Sequence, residues 1–279
     1  MPKFEKLRVS LARSALPPLL EAVDQPDIHL PRTEFLKRAF AEARTFLRGD
    51  NVFTFHPIET PIGFAAGFFA REHSVSLRHH NLEKYVAENY EPALFMLSLD
   101  KAQVIWMEDR SSVGSPKAII EAFFDSLNKK AELKDWNAFI RYFEDETGYW
   151  DAVRAHSHEI TKVIFRFVPP NAFEGAEWAQ RFYTEIQKEA GNEILEETFK
   201  GKPGQMRLDG PMMTASAEIA EKGAGERELR GLKNRSLYNS ADGRVSEIVP
   251  EPDMPTIEHP SFLRRVLNQL FRNDGAHEG

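Results

Sequence analysis

Two histidines and a glutamate stand close together in residues 154–171, which read RAHSHEITKVIFRFVPPN. Imidazole nitrogens and carboxylate oxygens bind zinc, and residues two apart on an extended chain point to one side. His156, His158 and Glu159 therefore raise the hypothesis of a metal-dependent nuclease or hydrolase. A zinc site needs further protein ligands, and the sequence holds no H-E-x-x-H motif. The alternative is a solvated polar joint between two parts of the fold.

Basic residues are concentrated further along the chain, in a loop and in a predicted hairpin. The loop contains glycine and proline and carries Lys200, Lys202 and Arg207. The hairpin is predicted to pair residues 226–238 with residues 244–249, because Asp-Gly at 242–243 is a strong turn signal. Its basic residues are Arg227, Arg230, Lys233, Arg235 and Arg244.

A basic loop beside a basic strand can follow a nucleic-acid backbone, because phosphate contacts need only cationic donors. In an extended strand, Lys233 and Arg235 fall on one face. The predicted nucleic-acid-binding residues are Lys200, Lys202, Arg207, Arg230, Lys233 and Arg235. Glu226 and Glu228 are interspersed among them, so an ordinary solvated sheet face is the alternative.

A second histidine-rich stretch, REHSVSLRHHN, occupies residues 71–81. Arg71, Arg78 and His80 are candidates for a phosphate-facing patch, since such a patch requires cations without strict spacing. The alternative is a plain polar loop.

The composition limits the class of protein. The chain has 279 residues, of which 42% are apolar and 21 are phenylalanine, so a buried core rich in Phe is expected. The absence of cysteine excludes disulfides and thiolate metal sites and favours the cytoplasm. The longest apolar run, residues 62–70, is far shorter than the roughly 20 residues of a membrane span. With a net charge of −7, any nucleic-acid site must be local.

No cofactor is predicted from the sequence motifs. Residues 222–225 (KGAG) lack the P-loop pattern, and neither a dinucleotide-binding fingerprint nor a serine nucleophile elbow occurs. Nucleotide-dependent hydrolysis and serine-hydrolase chemistry are therefore disfavoured, and whether the protein is an enzyme stays open.

The hydrophobic patterns predict strands and helices in alternation. Strands are expected at residues 4–11, 51–60, 61–74, 93–99, 103–108 and 161–168, and helices at 33–47, 116–127, 135–154, 176–190 and 211–221. A final amphipathic helix around residues 262–271 carries Arg264, Arg265 and Arg272 and is expected to dock on its own domain. A scaffold protein that uses this helix and the connector to join partners is a further alternative.

These elements predict an α+β protein made of two linked mixed halves with antiparallel hairpins. The N-terminal half covers residues 1–128 and is joined by a helical connector, 129–158, to the C-terminal half, 159–250. A proline-rich linker and the amphipathic helix occupy residues 251–279.

Three stretches carry a resemblance: IFRFVPPN at residues 164–171, IAEKGAG at 219–225 and SADG at 240–243. Their order resembles that of bacterial proteins encoded near anti-phage defence genes, and it is similar to the DNA-binding component of the Kiwa defence system. The resemblance implies a cytoplasmic bacterial defence component that binds or senses nucleic acid, a phage-derived partner, or a protein from the same operon. It implies no catalytic residues.

Overall fold

The structure is a computed structural model with an α+β fold, as the sequence predicts. It describes residues 1–13, 30–100, 103–128, 136–144, 146–167, 185–186, 194–221, 225–251, 254–256 and 260–272. The helix predicted at 176–190 lies outside these residues, apart from 185–186.

The described elements form two separate antiparallel sheets and the helices packed on them. In chain order, the elements are β1 (Lys3–Arg13), α1 (Arg32–Ala39), β2 (Arg44–Arg48), β3 (Asn51–Ile58), β4 (Phe64–Arg78), β5 (Lys84–Ser98), β6 (Val104–Glu108), α2 (Pro116–Asn128), β7 (Trp136–Tyr142), α3 (Glu146–His156), β8 (Lys162–Phe167), β9 (Leu195–Lys200), α4 (Pro211–Ile219), β10 (Gly225–Arg230), β11 (Ser236–Asn239), β12 (Ser246–Ile248) and α5 (Leu263–Leu270).

The large sheet has eight strands in the order β12-β1-β6-β5-β4-β3-β2, with β7 also paired to β1. One of its faces packs against α1 and α2 through a cluster of phenylalanine rings. Phe123 of α2 is fully buried at the centre of this cluster. Its ring centroid lies 4.9–5.8 Å from those of Phe40, Phe46, Phe55, Phe69 and Phe124. The prediction of a Phe-rich core is confirmed.

The opposite face of the large sheet is covered by α5. Its apolar residues Leu263, Val266, Leu267 and Leu270 are buried in a cluster that includes Trp106 of β6. The expectation that this helix docks on its own protein is therefore confirmed. The described helices are all too short or too polar to cross a lipid bilayer.

A long hairpin formed by β4 and β5 extends beyond the core. Each strand has 15 residues, and the outer part, from about Ser74 to Tyr90, is largely exposed. Arg78 and His80 lie near its tip, and Arg71 lies at its base, where it donates to the Asn51 side chain. The histidine-rich stretch is thus one strand and the tip of this hairpin.

The small sheet has four strands in the order β11-β10-β8-β9. Its core includes Tyr149 of α3, Phe165 of β8 and Ala217 of α4. In this part of the chain, β8 and α4 lie where a strand and a helix are predicted, but residues 226–238, predicted as one strand, divide into β10 and β11. The large sheet also takes one strand, β7, from the predicted connector and another, β12, from the predicted C-terminal half.

The small sheet interrupts one outer strand of the large sheet. β7 pairs with β1 as far as Tyr142 opposite Leu7, and β12 resumes beside β1 with Ser246 opposite Glu5. Between them, the Val245 amide donates to the Phe143 carbonyl at 2.9 Å. The chain therefore leaves the large sheet and returns to it at the same point of β1.

Three of the helices and hairpins predicted from the sequence are wrong. Residues 136–142 of the predicted helical connector are strand β7, because all seven pair with β1. Among the described residues of the connector, the helical part is α3. The helix predicted at 33–47 ends at Ala39, and residues 44–48 form β2 instead. The hairpin across Asp242–Gly243 does not form, because β10 pairs with β11 while β12 returns to β1.

Candidate functional site

One end of the small sheet carries a row of three cations. The register places Lys162 at the start of β8 directly opposite Lys200 on β9 and opposite Arg230 on β10. Side chains alternate along a strand, so these three point away from the buried face that holds Val163 and Leu229. Directly opposed like charges destabilise a sheet, and this row therefore concentrates positive potential at the end of the sheet.

Lys202 extends the row into the loop that follows β9. The loop is anchored at Gly201, whose amide donates to the Thr161 carbonyl at 3.0 Å. Gly204 has a φ of +69° and would bring an added Cβ within 3.9 Å of the His158 backbone. Because glycine tolerates this conformation, the loop turns back against the start of β8 with Lys202 exposed.

A turn between β10 and β11 brings Lys233 and Arg235 to the same end of the small sheet. The prediction that they share one face of a strand is wrong, because residues 232–234 form a short 3-10 turn between β10 and β11. Lys233 and Asn234 both have left-handed φ values, 54° and 62°. The turn is closed by the Gly231 amide, which donates to the Arg235 carbonyl at 2.8 Å.

We call this region the basic end and define it by Lys162, Lys200, Lys202, Arg230, Lys233 and Arg235. Two carboxylates partly neutralise it: Glu228 accepts from Arg230 Nε at 2.8 Å, and Glu159 pairs with Arg235. Within the described ranges, no ion pair joins a carboxylate to any of the four lysines. The remaining predicted residue, Arg207, is exposed further along the loop after β9.

Away from the basic end, the same face carries charges of both signs. Arg166 on β8 donates to Glu196 on β9 at 2.9 Å and lies 3.5 Å from Glu228 on β10. The hydrogen bond from Arg166 lowers the pKa of the Glu196 carboxyl. Positive and negative charges are therefore balanced in the middle of this face, whereas the end of the face is positive.

The histidine cluster lies beside the basic end, in the last turn of α3 and just after it. Glu159 Oε1 is 3.6 Å from His156 Nδ1 and 3.7 Å from His158 Nε2, while its other oxygen pairs with Arg235. Among the residues that the structure describes, no three His, Asp or Glu side chains converge as metal ligands. The closest partner of Glu159 is thus an arginine, and these three residues do not form such a group.

A buried arginine fixes β10 against the rest of the protein. Arg227 is fully buried, although the sequence predicts it on an exposed hairpin. Its guanidinium pairs with Glu144, donates to Glu221 at 3.2 Å and to the Ala217 carbonyl at 3.4 Å, and stacks 4.7 Å over the Tyr149 ring. Burial raises the pKa of the Glu144 carboxyl, against the opposing effect of Arg227. This network sets the position of β10 and hence of Arg230 at its end.

Five of the six predicted binding residues therefore lie at one end of the small sheet. Lys162, at the centre of the row, was missed. Its only sequence signal is its position at the start of an apolar run, and its neighbours become visible only when the strand register is known. The chain matches no protein-family model, no curated protein and no solved structure.

Proposed function

We propose that this protein binds the phosphate backbone of nucleic acid at the basic end. The observation that carries the proposal is the row of three cations, in which Lys162 stands between Lys200 and Arg230. Opposed like charges cost stability in a sheet, so an anion that spans them relieves the repulsion on binding. A polyanion with regularly spaced charges is the ligand that matches such a row.

The spacing of the row suits a nucleic-acid strand. Neighbouring strands of a sheet lie about 4.8 Å apart, so the three cations span roughly 10 Å. A strand of duplex DNA carries one phosphate per about 3.4 Å of helix axis, and successive phosphates lie further apart than this along the curved backbone, so the row faces more than one phosphate. Lys202 and Lys233 lie in exposed turns beside the row and extend the contact.

The net charge of −7 makes binding a local property of this end of the molecule. The resemblance to defence proteins, and not the net charge, supports a role as a nucleic-acid-binding or sensing component of bacterial anti-phage defence. Phosphate contacts carry no sequence information, so the proposed binding is independent of sequence.

The test is a salt titration of binding to a labelled single strand and to a labelled duplex, followed by fluorescence anisotropy. Affinity is expected to fall steeply with salt, because each phosphate contact contributes about −0.9 to the slope of log K against log salt on duplex DNA. The double variant Lys162→Glu with Lys200→Glu should weaken binding about tenfold or more and reduce the slope by about two.

A matched double variant controls for overall charge. Lys37→Glu on α1 with Arg264→Glu on α5 changes the net charge by the same amount at exposed positions of the large-sheet region. This variant should leave most of the affinity intact. If both double variants weaken binding equally, or if affinity does not depend on salt, the proposed interface is wrong.

A further inference from the structure

A second cluster of charged side chains lies where the two sheets meet, around a cavity of about 190 Å³. We call it the junction cleft. Its walls come from the start of α2, from the end of β7, from β10 and from the segment between β11 and β12. The polar side chains that line it are Ser115, Lys117, Glu121, Tyr142, Glu226, Ser240 and Arg244.

Two cations share a single carboxylate oxygen in the cleft. Lys117 Nζ lies 3.1 Å from Glu226 Oε1, and Arg141 Nε lies 3.3 Å from the same atom. The Arg141 side chain is only 12% exposed. Glu121, which also lines the cavity, is a second carboxyl group close to these two cations, so their charge is balanced within the cleft only when Glu121 is ionised.

A third cation borders the cavity from the opposite side. The Arg244 guanidinium stacks 4.1 Å over the Tyr142 ring and lies 3.3 Å from Glu5 Oε1. Glu5 in turn accepts from Lys3 at 3.4 Å. On this side, too, two cations share one carboxylate, and the sequence-based placement of Arg244 on an exposed hairpin is wrong.

The two carboxyl groups of the cleft differ in protonation behaviour. The pKa of Glu226 is lowered: burial opposes this, but Arg141 and Lys117 hold the group in its charged form. Burial raises the pKa of Glu121, against the effects of Lys117 and Arg141. Glu121 therefore takes up a proton more readily than Glu226, and a protonated carboxyl group can donate a hydrogen bond to an anion.

Hydroxyl groups complete the lining. The Tyr142 hydroxyl accepts the backbone N–H of Lys117 at 3.3 Å and lies 3.1 Å from Ser115 Oγ. One of these two hydroxyls donates to the other, so the pair leaves one hydroxyl proton that can be directed into the cavity. The first turn of α2 also faces the cleft, and its helix dipole adds partial positive charge.

We propose that the junction cleft binds a small phosphate-bearing ligand. Lys117 and Arg244 line the cavity and supply positive charge, Arg141 adds a further positive charge where it pairs with Glu226, and one of the Ser115 and Tyr142 hydroxyls supplies a neutral donor. A cavity of about 190 Å³ is large enough to admit a phosphate group. A larger ligand places its phosphate inside and the rest of its structure outside.

The site is distinct from the basic end and joins different elements. A ligand in the cleft contacts α2 and β7 of the large-sheet region together with β10 of the small sheet. Binding at this junction favours the folded arrangement of both sheets, because a ligand that binds only the native state raises stability by mass action.

Thermal unfolding and calorimetry with inorganic phosphate test the proposal. At constant ionic strength, replacing chloride by 10 mM phosphate is expected to raise Tm by about 2 °C or more. Titration calorimetry should show one site per chain. A parallel arm with glycerol 3-phosphate distinguishes free phosphate from a phosphomonoester as the preferred ligand.

Variants locate the phosphate in the cleft. Tyr142→Phe keeps the ring beneath Arg244 and removes only the hydroxyl, so it should weaken phosphate binding about tenfold with the fold intact. Lys117→Met should weaken binding further. Lys37→Glu with Arg264→Glu should leave phosphate binding unchanged, because those exposed residues lie outside the cleft.

Two results would overturn the proposal. One is the absence of both a Tm shift and binding heat with either phosphate probe. The other is binding that survives Lys117→Met and Tyr142→Phe but disappears in the Lys162→Glu and Lys200→Glu variant, since the phosphate would then occupy the basic end.

Discussion

Strand β10 of the small sheet carries positive charge in two contrasting environments. At one place, Arg227 is fully buried and is held by two carboxylates, Glu144 and Glu221. Three residues later, Arg230 stands in a row with Lys162 and Lys200, where like charges oppose one another. The charge of Arg227 is balanced by carboxylates within the protein, whereas in the row an anion supplied from outside would relieve the repulsion between like charges.

The difference between the two places follows from how far water reaches the charged groups. A buried ion without a partner costs several kcal/mol, so the protein must provide the partner itself. Charges near water are screened, and opposed cations there cost only a fraction of a kcal/mol to about 1 kcal/mol. Positive charge can therefore stay partly unneutralised at the basic end, and this is where we propose that a ligand of opposite charge binds.

The largest expected effect comes from breaking the buried pair. Arg227→Met leaves the Glu144 carboxyl buried without its cation and should lower the free energy of unfolding by about 3–5 kcal/mol. Urea denaturation measures this change. Arg230→Met on the same strand serves as the control and should cost less than about 1 kcal/mol, because Arg230 is partly exposed and Glu228 keeps Arg166 as a second cation 3.5 Å away.

The double variant Arg227→Met with Glu144→Leu refines the same test. Removing both partners leaves no unpaired buried charge, so it should be less destabilising than Arg227→Met alone. If its cost equals the sum of the two single changes, the two groups do not stabilise each other as a pair.

A smaller effect is expected in the junction cleft, whose charged groups are intermediate in burial between Arg227 and the exposed residues of the basic end. Burial raises the pKa of Glu121 in the folded protein above its unfolded value. Its contribution to stability is therefore fully present below the unfolded pKa and is lost as pH rises through the folded pKa. Glu121→Gln should have a higher Tm than the native sequence at pH 7.5.

The advantage of Glu121→Gln should disappear near pH 4, where the native carboxyl is protonated in both states. Melting curves of both proteins from pH 4 to 8 measure the difference. A Tm difference that is constant across this range, or a variant that melts lower at pH 7.5, contradicts the assigned direction of the shift.

The smallest expected effect is a gain in stability at the basic end. Lys162→Thr removes the central charge of the row and places a residue that favours strands, so it should raise the free energy of unfolding by about 0.2–1 kcal/mol. The same change should weaken nucleic-acid binding. Lys162→Arg keeps the charge and should show no gain, and the gain from threonine should shrink in high salt.

The parts of the fold that local patterns determine were predictable from the sequence. Alternation along residues 4–11 predicts β1, and the polar break at 100–102 predicts the hairpin of β5 and β6. The apolar stripe from Ile119 to Leu127 predicts α2. In each case, the residues that pack together are close in sequence or repeat with the period of the element.

The parts that depend on distant pairing were not predictable in this way. Trp136, Phe139 and Ile140 have helical spacing, yet they lie on β7 because β1 provides a partner strand far away in sequence. The row through Lys162 depends on the register of three strands, which no local pattern contains. Five of the six predicted cations lie at the basic end, although Lys200 is on β9 and not in a loop, and the strand face assumed for Lys233 and Arg235 does not exist.

The interruption of the outer strand of the large sheet has a consequence for modularity. Phe143 donates its amide to Lys6, and Ser246 pairs with Glu5, the next residue along β1. Joining Phe143 directly to Ser246 would therefore yield one continuous strand, in which the Phe143 carbonyl has to replace the Val245 carbonyl as the acceptor of the Lys6 amide. The large sheet would then be complete without the hundred or so residues between the two points. These residues form an excisable insertion that carries the basic end and one wall of the junction cleft.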